Sequence, residues 1–321
     1  MKIEDFLEGV SRVAIAGHTH PDGDCIGSCM GLYLYLRENY PELQVKVYLE
    51  SPRPEFGFLE GIKEICESYE GTDVPQLLIL CDISSADRIG VASAALQDAE
   101  KTLCFDHHRT NQNTFSWKFN DPAASSTSEV VFRFLEQDRI STACAEALYL
   151  GMVHDTGVFQ YTCTSPETMR AAAVLMEKGI PYSRIIDETF YQKSWAQNHM
   201  LGVVLSSCRL HLDGTVISAQ VTRKLMEENG VGPRDMDGIV AQMRNTAGVD
   251  TAIFMYETEA GVWKASLRSR KKTDVSVIAQ SFGGGGHVRA AGCTVKEDPE
   301  EILQRILSQI AAQAESEQIH V

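Results

Sequence analysis

The sequence predicts an α/β protein. Its first part is a mostly parallel, five-stranded-type sheet flanked by helices, and a smaller α+β domain follows. Two observations carry the prediction. Apolar runs at Val13–Ala16, Leu77–Cys81 and Leu103–Phe105 alternate with segments of helical apolar spacing, as expected of parallel strands covered by helices on both faces. Beyond about residue 208 the pattern changes to strand-like runs spaced as in a partly antiparallel sheet.

In chain order, Val13–Ala16 reads as a strand, Ile26–Asn39 as a helix and Val45–Leu49 as a strand. Leu77–Cys81 is a fully apolar strand, Ala86–Ala99 is mostly helical, and Thr102–Phe105 is another strand. Ser126–Gln137 is a helix whose preceding serines and threonine can cap it before Glu129. Thr142–Asp155 is a helix too apolar to be exposed, and Pro166–Lys178 is a helix stopped by Gly179. These elements assign residues 1–185 to a first domain. Residues 186–208 read as a helical linker and 209–321 as a second domain with strands at Val216–Val221, Thr251–Tyr256 and Val262–Leu267. Pro299–Ala314 is a closing amphipathic helix, and Glu315–Val321 is expected to be loose.

Composition narrows the function. A length of 321 residues is long for one core. The net charge of −15 disfavours wrapping long nucleic acid, which needs a basic track to displace counterions. A small phosphorylated substrate remains compatible, since bound cations can neutralise a site locally. No apolar stretch approaches membrane-spanning length, and Met1–Gly9 is acidic rather than signal-like. Nine cysteines without a C-x-x-C pair point to a reducing, cytoplasmic setting. Cys25 and Cys29 are read as helix packing rather than as ligands.

The chemistry-bearing residues fall in four clusters, three of them just after an apolar run: His18-Thr19-His20-Pro21-Asp22-Gly23-Asp24, Asp82, Asp106-His107-His108 and His154-Asp155. In an open α/β sheet such positions converge on one crevice outside the carboxyl ends of the strands. Closely packed carboxylates repel unless a cation separates them, and oxygen donors mixed with imidazole suit Mn²⁺, Fe²⁺ or Zn²⁺ better than Ca²⁺. A two-metal hydrolytic site is therefore expected.

Each cluster also has a plainer reading. Asp22-Gly23 is a turn pair. Asp82 sits where a helix cap would, although a carboxylate there can equally bridge two cations. Adjacent His107 and His108 point to different sides, so one can bind metal and the other face substrate, with Asp106 fixing a ligand tautomer. Asp155 opposes the macrodipole at a helix C-terminus unless a cation offsets it. In the second domain, Gly283-Gly284-Gly285-Gly286-His287 is either a flexible loop or a phosphate cradle. Arg268-Ser269-Arg270-Lys271-Lys272 is either a solvated turn or, with Arg289, a phosphate contact.

The order of these clusters, the Asp-His-His and the Gly-Gly-Gly-His-x-x-Ala-Ala-Gly form ending at Gly292 together resemble the DHH phosphoesterase family with its DHH-associated second domain. The resemblance covers nearly the whole chain, and the length and two-domain plan look like the nano-RNase and 3′-phosphoadenosine 5′-phosphate phosphatase group. It implies a cytoplasmic phosphodiesterase and phosphomonoesterase with two divalent cations, Mn²⁺ foremost, with Mg²⁺ or Co²⁺ as alternatives. The implied substrates are short oligoribonucleotides, including linear dinucleotides, and 3′-phosphoadenosine 5′-phosphate, in a cleft between the domains. No membrane partner is implied, and a homodimer is compatible.

Carried over by residue, His18, Asp22 and Asp82 would hold one cation, and Asp24, Asp82, His107 and Asp155 the other. Asp106 would stand behind His107. Asp82, His107 and His108 would be catalytic. His108, Arg109, Arg268, Gly284, Gly285, Gly286 and His287 would meet substrate. Gln160 stands where some relatives carry a basic residue. The same centre could instead serve a cyclic dinucleotide phosphodiesterase, a pyrophosphatase or a RecJ-like exonuclease. The class outside catalysis is a nucleotide sensor.

Overall fold

A computed structural model describes the backbone of residues 1–319 and the side chains of residues 1–315. The chain divides into two compact units, Met1–Gln192 and Lys193–Val321. Among the described residues, no helix is long and apolar enough to cross a membrane.

The first unit is built on β1 (Arg12–Ala16), α1 (Gly23–Asn39), β2 (Gln44–Tyr48), β3 (Leu77–Cys81), α2 (Ala95–Asp98), β4 (Lys101–Asp106) and β5 (Trp117–Asn120). It continues through α3 (Thr127–Phe134), α4 (Thr142–Thr156), α5 (Pro166–Glu177) and α6 (Tyr182–Ile186). The strands form a five-stranded, wholly parallel sheet in the order β2-β1-β3-β4-β5. The order of succession reverses between β1 and β3, with β2 laid down on one side and β3 to β5 on the other, which makes the gap after their carboxyl ends the topological switch point. The register aligns Ala16, Leu80 and Cys104 across β1, β3 and β4. The residues that follow these three therefore emerge side by side at one edge.

Both faces of this sheet are covered. Val13, Ile15, Leu77, Ile79, Leu103 and Phe105 join a core with α1, α3 and α4. The alternate residues Ala14, Leu78, Leu80 and Cys104 join another with Ile83, Ile89, Ala92 and Ala95. Burying a Leu or Ile contributes about 1.5–3 kcal/mol each, and period-two alternation gives each strand two such faces. α1 is buried along almost its whole length, because it lies between the sheet and α4. The two helices meet backbone to backbone. A Cβ on Gly27 would stand 2.5 Å from the carbonyl oxygen of Ala147, and one on Gly151 2.7 Å from Oδ1 of Asp24.

Several local expectations change. The helix expected at Ala86–Ala99 is two 3₁₀ turns, Ala86–Arg88 and Gly90–Ala92, followed by the four-residue α2. Gly90 at φ +63° interrupts it, in a conformation that glycine adopts without steric cost. β5 is an edge strand too short and mixed to stand out in the sequence. The helix after Ser126 ends at Phe134 rather than Gln137.

After α6, residues Asp187–Tyr191 form a π turn. The second unit then opens with α7 (Trp195–Ser207), capped reciprocally by Ser194 and Gln197. It continues through β6 (Arg209–His211), β7 (Val216–Val221), α8 (Arg223–Glu228), α9 (Ile239–Arg244), β8 (Thr251–Glu259) and β9 (Val262–Ser269). α10 (Val275–Ser281), β10 (Gly285–His287), β11 (Ala290–Val295) and α11 (Pro299–Ile319) complete it. Its six-stranded sheet runs β10-β11-β9-β8-β7-β6, antiparallel except for the parallel β7–β8 pair. α10 and α11 cover one face, and α7, α8 and α9 cover the other. The closing helix reaches Ile319, through most of the segment expected to be loose. The last two residues of that segment lie outside the described residues.

Candidate active site

Three loops leaving β1, β3 and β4, together with the ends of α1 and α4, bring the candidate ligands of the first unit together. Asp22 caps α1, accepting from the backbone N–H groups of Asp24 and Cys25 at 3.1 Å each. The cap fixes the first turn of α1 and with it Asp24, which is fully buried. Asp24 in turn accepts from the N–H of Thr127 at 2.6 Å and of Ser128 at 2.9 Å. The start of α3, where backbone donors have no helical partner, thus holds this carboxylate.

Asp82 occupies the centre. Its Oδ2 is 3.4 Å from Nε2 of His18, and its Oδ1 is 3.7 Å from Nε2 of His107. Nε2 of His18 is also 3.6 Å from Asp22, and Nε2 of His107 is 3.0 Å from Asp155. Asp82 has φ +61°, a left-handed conformation that a non-glycine residue holds only when its surroundings impose it. Thr127 donates its hydroxyl to Asp82 Oδ1 at 3.0 Å. A second strained pair, Val158 and Phe159 at φ +58° and +62°, follows the C-terminus of α4 just beyond Asp155.

Charges in this cluster are strongly coupled. Burial and the neighbouring charges of Asp155 and Asp82 raise Asp24 well above the usual carboxylate range. Burial pushes Asp155 up to about 6 against the opposing pull of His107. Burial opposes ionisation of Asp82 too, but His18, His107 and His108 outweigh it and hold its carboxyl below the usual range. For His107 burial disfavours the charged ring, yet Asp155, Asp24 and Asp82 push it up to about 10.

Ligand atoms of His18, Cys25 and Asp82, of Asp82, His107 and His108, and of Asp24, His107 and Asp155 lie within 4.8 Å of one another in each set. Crowded carboxylates that without a cation must share protons with imidazoles are a donor set that fits divalent ions.

All six residues expected as ligands, His18, Asp22, Asp24, Asp82, His107 and Asp155, are therefore neighbours. Asp106 differs from expectation. It accepts from Nδ1 of His108 at 2.8 Å and from Asn111 at 2.7 Å, so it orients His108 rather than His107. His154, beside Asp155, packs its ring on Gly23 and bonds Thr189 at 2.9 Å. His20 is 92 % exposed, and Arg109 is exposed on the loop after His108.

In the second unit the glycine run begins as a turn at Gly283 and passes into a strand at Gly285–His287. Gly286 and His287 of β10 pair with Ala291 and Ala290 of β11, and Ala290 pairs with Arg268 of β9. Cross-strand partners share a face, so His287 and Arg268 flank Ala290 on the same side. A Cβ on Gly284 would lie 2.2 Å from the carbonyl oxygen of Gly292, so close backbone approach requires that glycine. Arg289 donates to the carbonyl oxygen of Thr273 at 2.9 Å. The backbone of Lys271 and Lys272 wraps Asp250 at 3.0 and 3.2 Å. These two features read as a turn scaffold.

Sequence reasoning missed the residues behind the ligands. Thr127 and Ser128 read only as part of a helix cap, and Arg88 sat inside an expected helix. Signals for them were the unusual Ser125-Ser126-Thr127-Ser128 run and an arginine six residues past Asp82.

Residues 12–152 match the DHH family, N-terminal domain, and residues 213–316 match the DHHA1 domain. The chain is 29 % identical over 314 residues to a protein of Thermus thermophilus named bifunctional oligoribonuclease and PAP phosphatase NrnA, covering 96 % of this chain and 92 % of that one. A Bacillus subtilis protein of the same name is 28 % identical over 285 residues, 87 % of each chain. The crystal structure of an exopolyphosphatase-related protein from Bacteroides fragilis superposes with a TM-score of 0.87 at 26 % identity, covering 96 % of this chain and 93 % of that one.

Proposed function

Because the chain belongs to the DHH family and joins a DHHA1 domain to it, we propose that it is a metal-dependent phosphoesterase. Its proposed substrates are short oligoribonucleotides, cut to mononucleotides, and 3′-phosphoadenosine 5′-phosphate, converted to AMP. The names of the Thermus and Bacillus relatives support that substrate pair. The observation that carries the reading is Asp82, with one carboxylate oxygen toward His18 and the other toward His107.

His18, Asp22 and Asp82 would hold one cation, and Asp24, Asp82, His107 and Asp155 the other, with Mn²⁺ as the proposed ion and Mg²⁺ or Co²⁺ as alternatives. Two bound divalent ions supply positive charge to the phosphoryl oxygens and lower the pKa of water. Asp82 keeps its charge through its histidine partners and is positioned by Thr127. Burial disfavours the charged form of His108, but Asp106 and Asp82 raise its proton affinity overall. With Nδ1 committed to Asp106, its Nε2–H is the face that would give a proton to the leaving ribose oxygen. The proposed substrate contacts are His108 and Arg109 in the first unit, and Arg268, Gly284, Gly285, Gly286 and His287 in the second.

The test is incubation of the protein with Mn²⁺ and, separately, linear diadenylate, 3′-phosphoadenosine 5′-phosphate and cyclic diadenylate, with products resolved by chromatography. AMP from the first two with the cyclic compound intact supports the proposal. Efficient opening of the cyclic compound reassigns the substrate. Inertness toward all three with Mn²⁺, Mg²⁺ or Co²⁺ overturns the enzyme reading.

A further inference from the structure

The geometry points to Arg88 as a phosphate-binding residue of the reacting centre, one that favours phosphomonoesters over diesters; this rests on the proposed phosphoesterase reading. The loops after β1 and β3 are stapled where Thr19 donates its N–H to the carbonyl oxygen of Arg88 at 2.7 Å. Gly90 allows the approach, since a Cβ there would lie 2.8 Å from Thr19 Cγ2. The staple sets the half-buried Arg88 guanidinium against the metal-ligand cluster, with Nη2 3.2 Å from Nδ1 of His18.

Both ring nitrogens of His18 have partners other than that guanidinium. Nε2 faces Asp22 and Asp82, and Nδ1 lies 2.8 Å from the carbonyl oxygen of Thr19. A ring that uses Nε2 as a ligand carries its proton on Nδ1 and gives it to Thr19. Nδ1 then has no lone pair for Arg88. The Nη2 donor therefore has no acceptor on that ring, and Arg88 forms no ion pair with a carboxylate among the described residues.

Charge balance says what it meets. The four carboxylates Asp22, Asp24, Asp82 and Asp155 formally balance two divalent cations, so the charge of a phosphate held there is left uncompensated. A guanidinium without a carboxylate compensates it, in a geometry suited to two phosphate oxygens. A terminal phosphate carries more charge than a diester and gains more from that contact.

The test uses the full chain loaded with Mn²⁺ and titrates inorganic phosphate calorimetrically into wild type, Arg88→Ala and Arg88→Lys. Manganese affinity and kinetics on 3′-phosphoadenosine 5′-phosphate and diadenylate are measured on the same preparations. Arg88→Ala is expected to weaken phosphate binding about 10-fold or more, the scale of a lost charged hydrogen bond. Arg88→Lys is expected to recover part of it as a point charge. Manganese affinity should stay within about threefold, and KM should rise more for the monoester than for diadenylate. Unchanged phosphate binding in Arg88→Ala, or a matching loss of manganese affinity that would make Arg88 only a prop for His18, overturns the inference. Wild type inert toward both nucleotides but with Arg88-dependent phosphate binding would uphold this site while refuting the substrate reading.

Discussion

Thr127 and Asp82, 45 positions apart, are joined by a hydroxyl donated to Oδ1 at 3.0 Å. The rest of the Asp82 carboxylate faces three histidines, His18, His107 and His108. It also ties the central carboxylate to the helix whose first N–H groups hold Asp24.

Thr127→Val keeps the shape and removes the donor. Weaker Mn²⁺ binding by about 10–100-fold is expected, the usual effect of losing a partner behind a metal ligand. The far-UV spectrum should be unchanged. Titration calorimetry with Mn²⁺ measures it, and an unaltered affinity would deny Thr127 a positioning role.

Asp82→Ala removes the carboxylate that both cation sets share. Turnover should fall by more than the roughly 100-fold limit of such indirect losses, while the metal-free protein still unfolds cooperatively. Near-normal turnover would refute the bridging assignment.

The histidines give a pH prediction. Burial opposes their charge, but neighbouring acids outweigh it. His107 rises to about 10, and His18, flanked by Cys25, Asp22 and Asp82, to about 12. Both rings are therefore protonated at neutral pH when metal is absent, and both must be neutral to bind it. Mn²⁺ uptake should release protons, and affinity should rise with pH by up to tenfold per unit for each proton displaced. Calorimetry in two buffers of different ionisation enthalpy counts the protons. A further consequence concerns stability. A raised folded pKa stabilises fully below the unfolded value of about 6.5, and that share is lost as pH climbs through about 10 for His107. The metal-free protein should lose Tm across that interval.

Glu129, buried in α3, accepts from Ser125 Oγ at 2.6 Å, Ser125 N–H at 3.0 Å and Thr168 Oγ1 at 2.7 Å, and it pairs with Arg133. Glu129→Ala should cost about 1.5–3 kcal/mol, the range for a charged hydrogen bond, in urea unfolding. It should also weaken Mn²⁺ binding, because the start of α3 loses its anchor. A stability loss with metal affinity intact would separate the anchor from the centre.

In the second unit, Arg268→Ala should raise KM for diadenylate severalfold with a smaller change in kcat, as loss of uniform binding does. A kcat collapse with constant KM would contradict a pure binding role.

The sequence made the strand ends legible because β1, β3 and β4 carry unbroken apolar runs, and the polar residues after each run are His18, Asp82 and Asp106. Their convergence followed from parallel pairing alone. What was hidden is tertiary. Asp106 and two histidines in succession do not say which ring the carboxylate meets, since that depends on how the loop after β4 turns around Asn111. Nor does a serine-rich cap reveal that its free N–H groups are spent on a carboxylate of α1. β10 was read as part of a loop because Gly285 and Gly286 have little strand propensity; pairing with β11 overrides it.

The close crossing of α1 and α4 has its own consequence. Asp24 opens one helix and Asp155 closes the other, so the gap between them is gauged by what is missing at Gly27 and Gly151. Adding a single methyl at Gly27 would wedge the helices apart, and the strain would be relieved where the helices end, among the ligands. A substitution that introduces no polar group and touches no substrate would thereby detune the centre. The spacing of its charges is recorded in hydrogen atoms where side chains would otherwise stand.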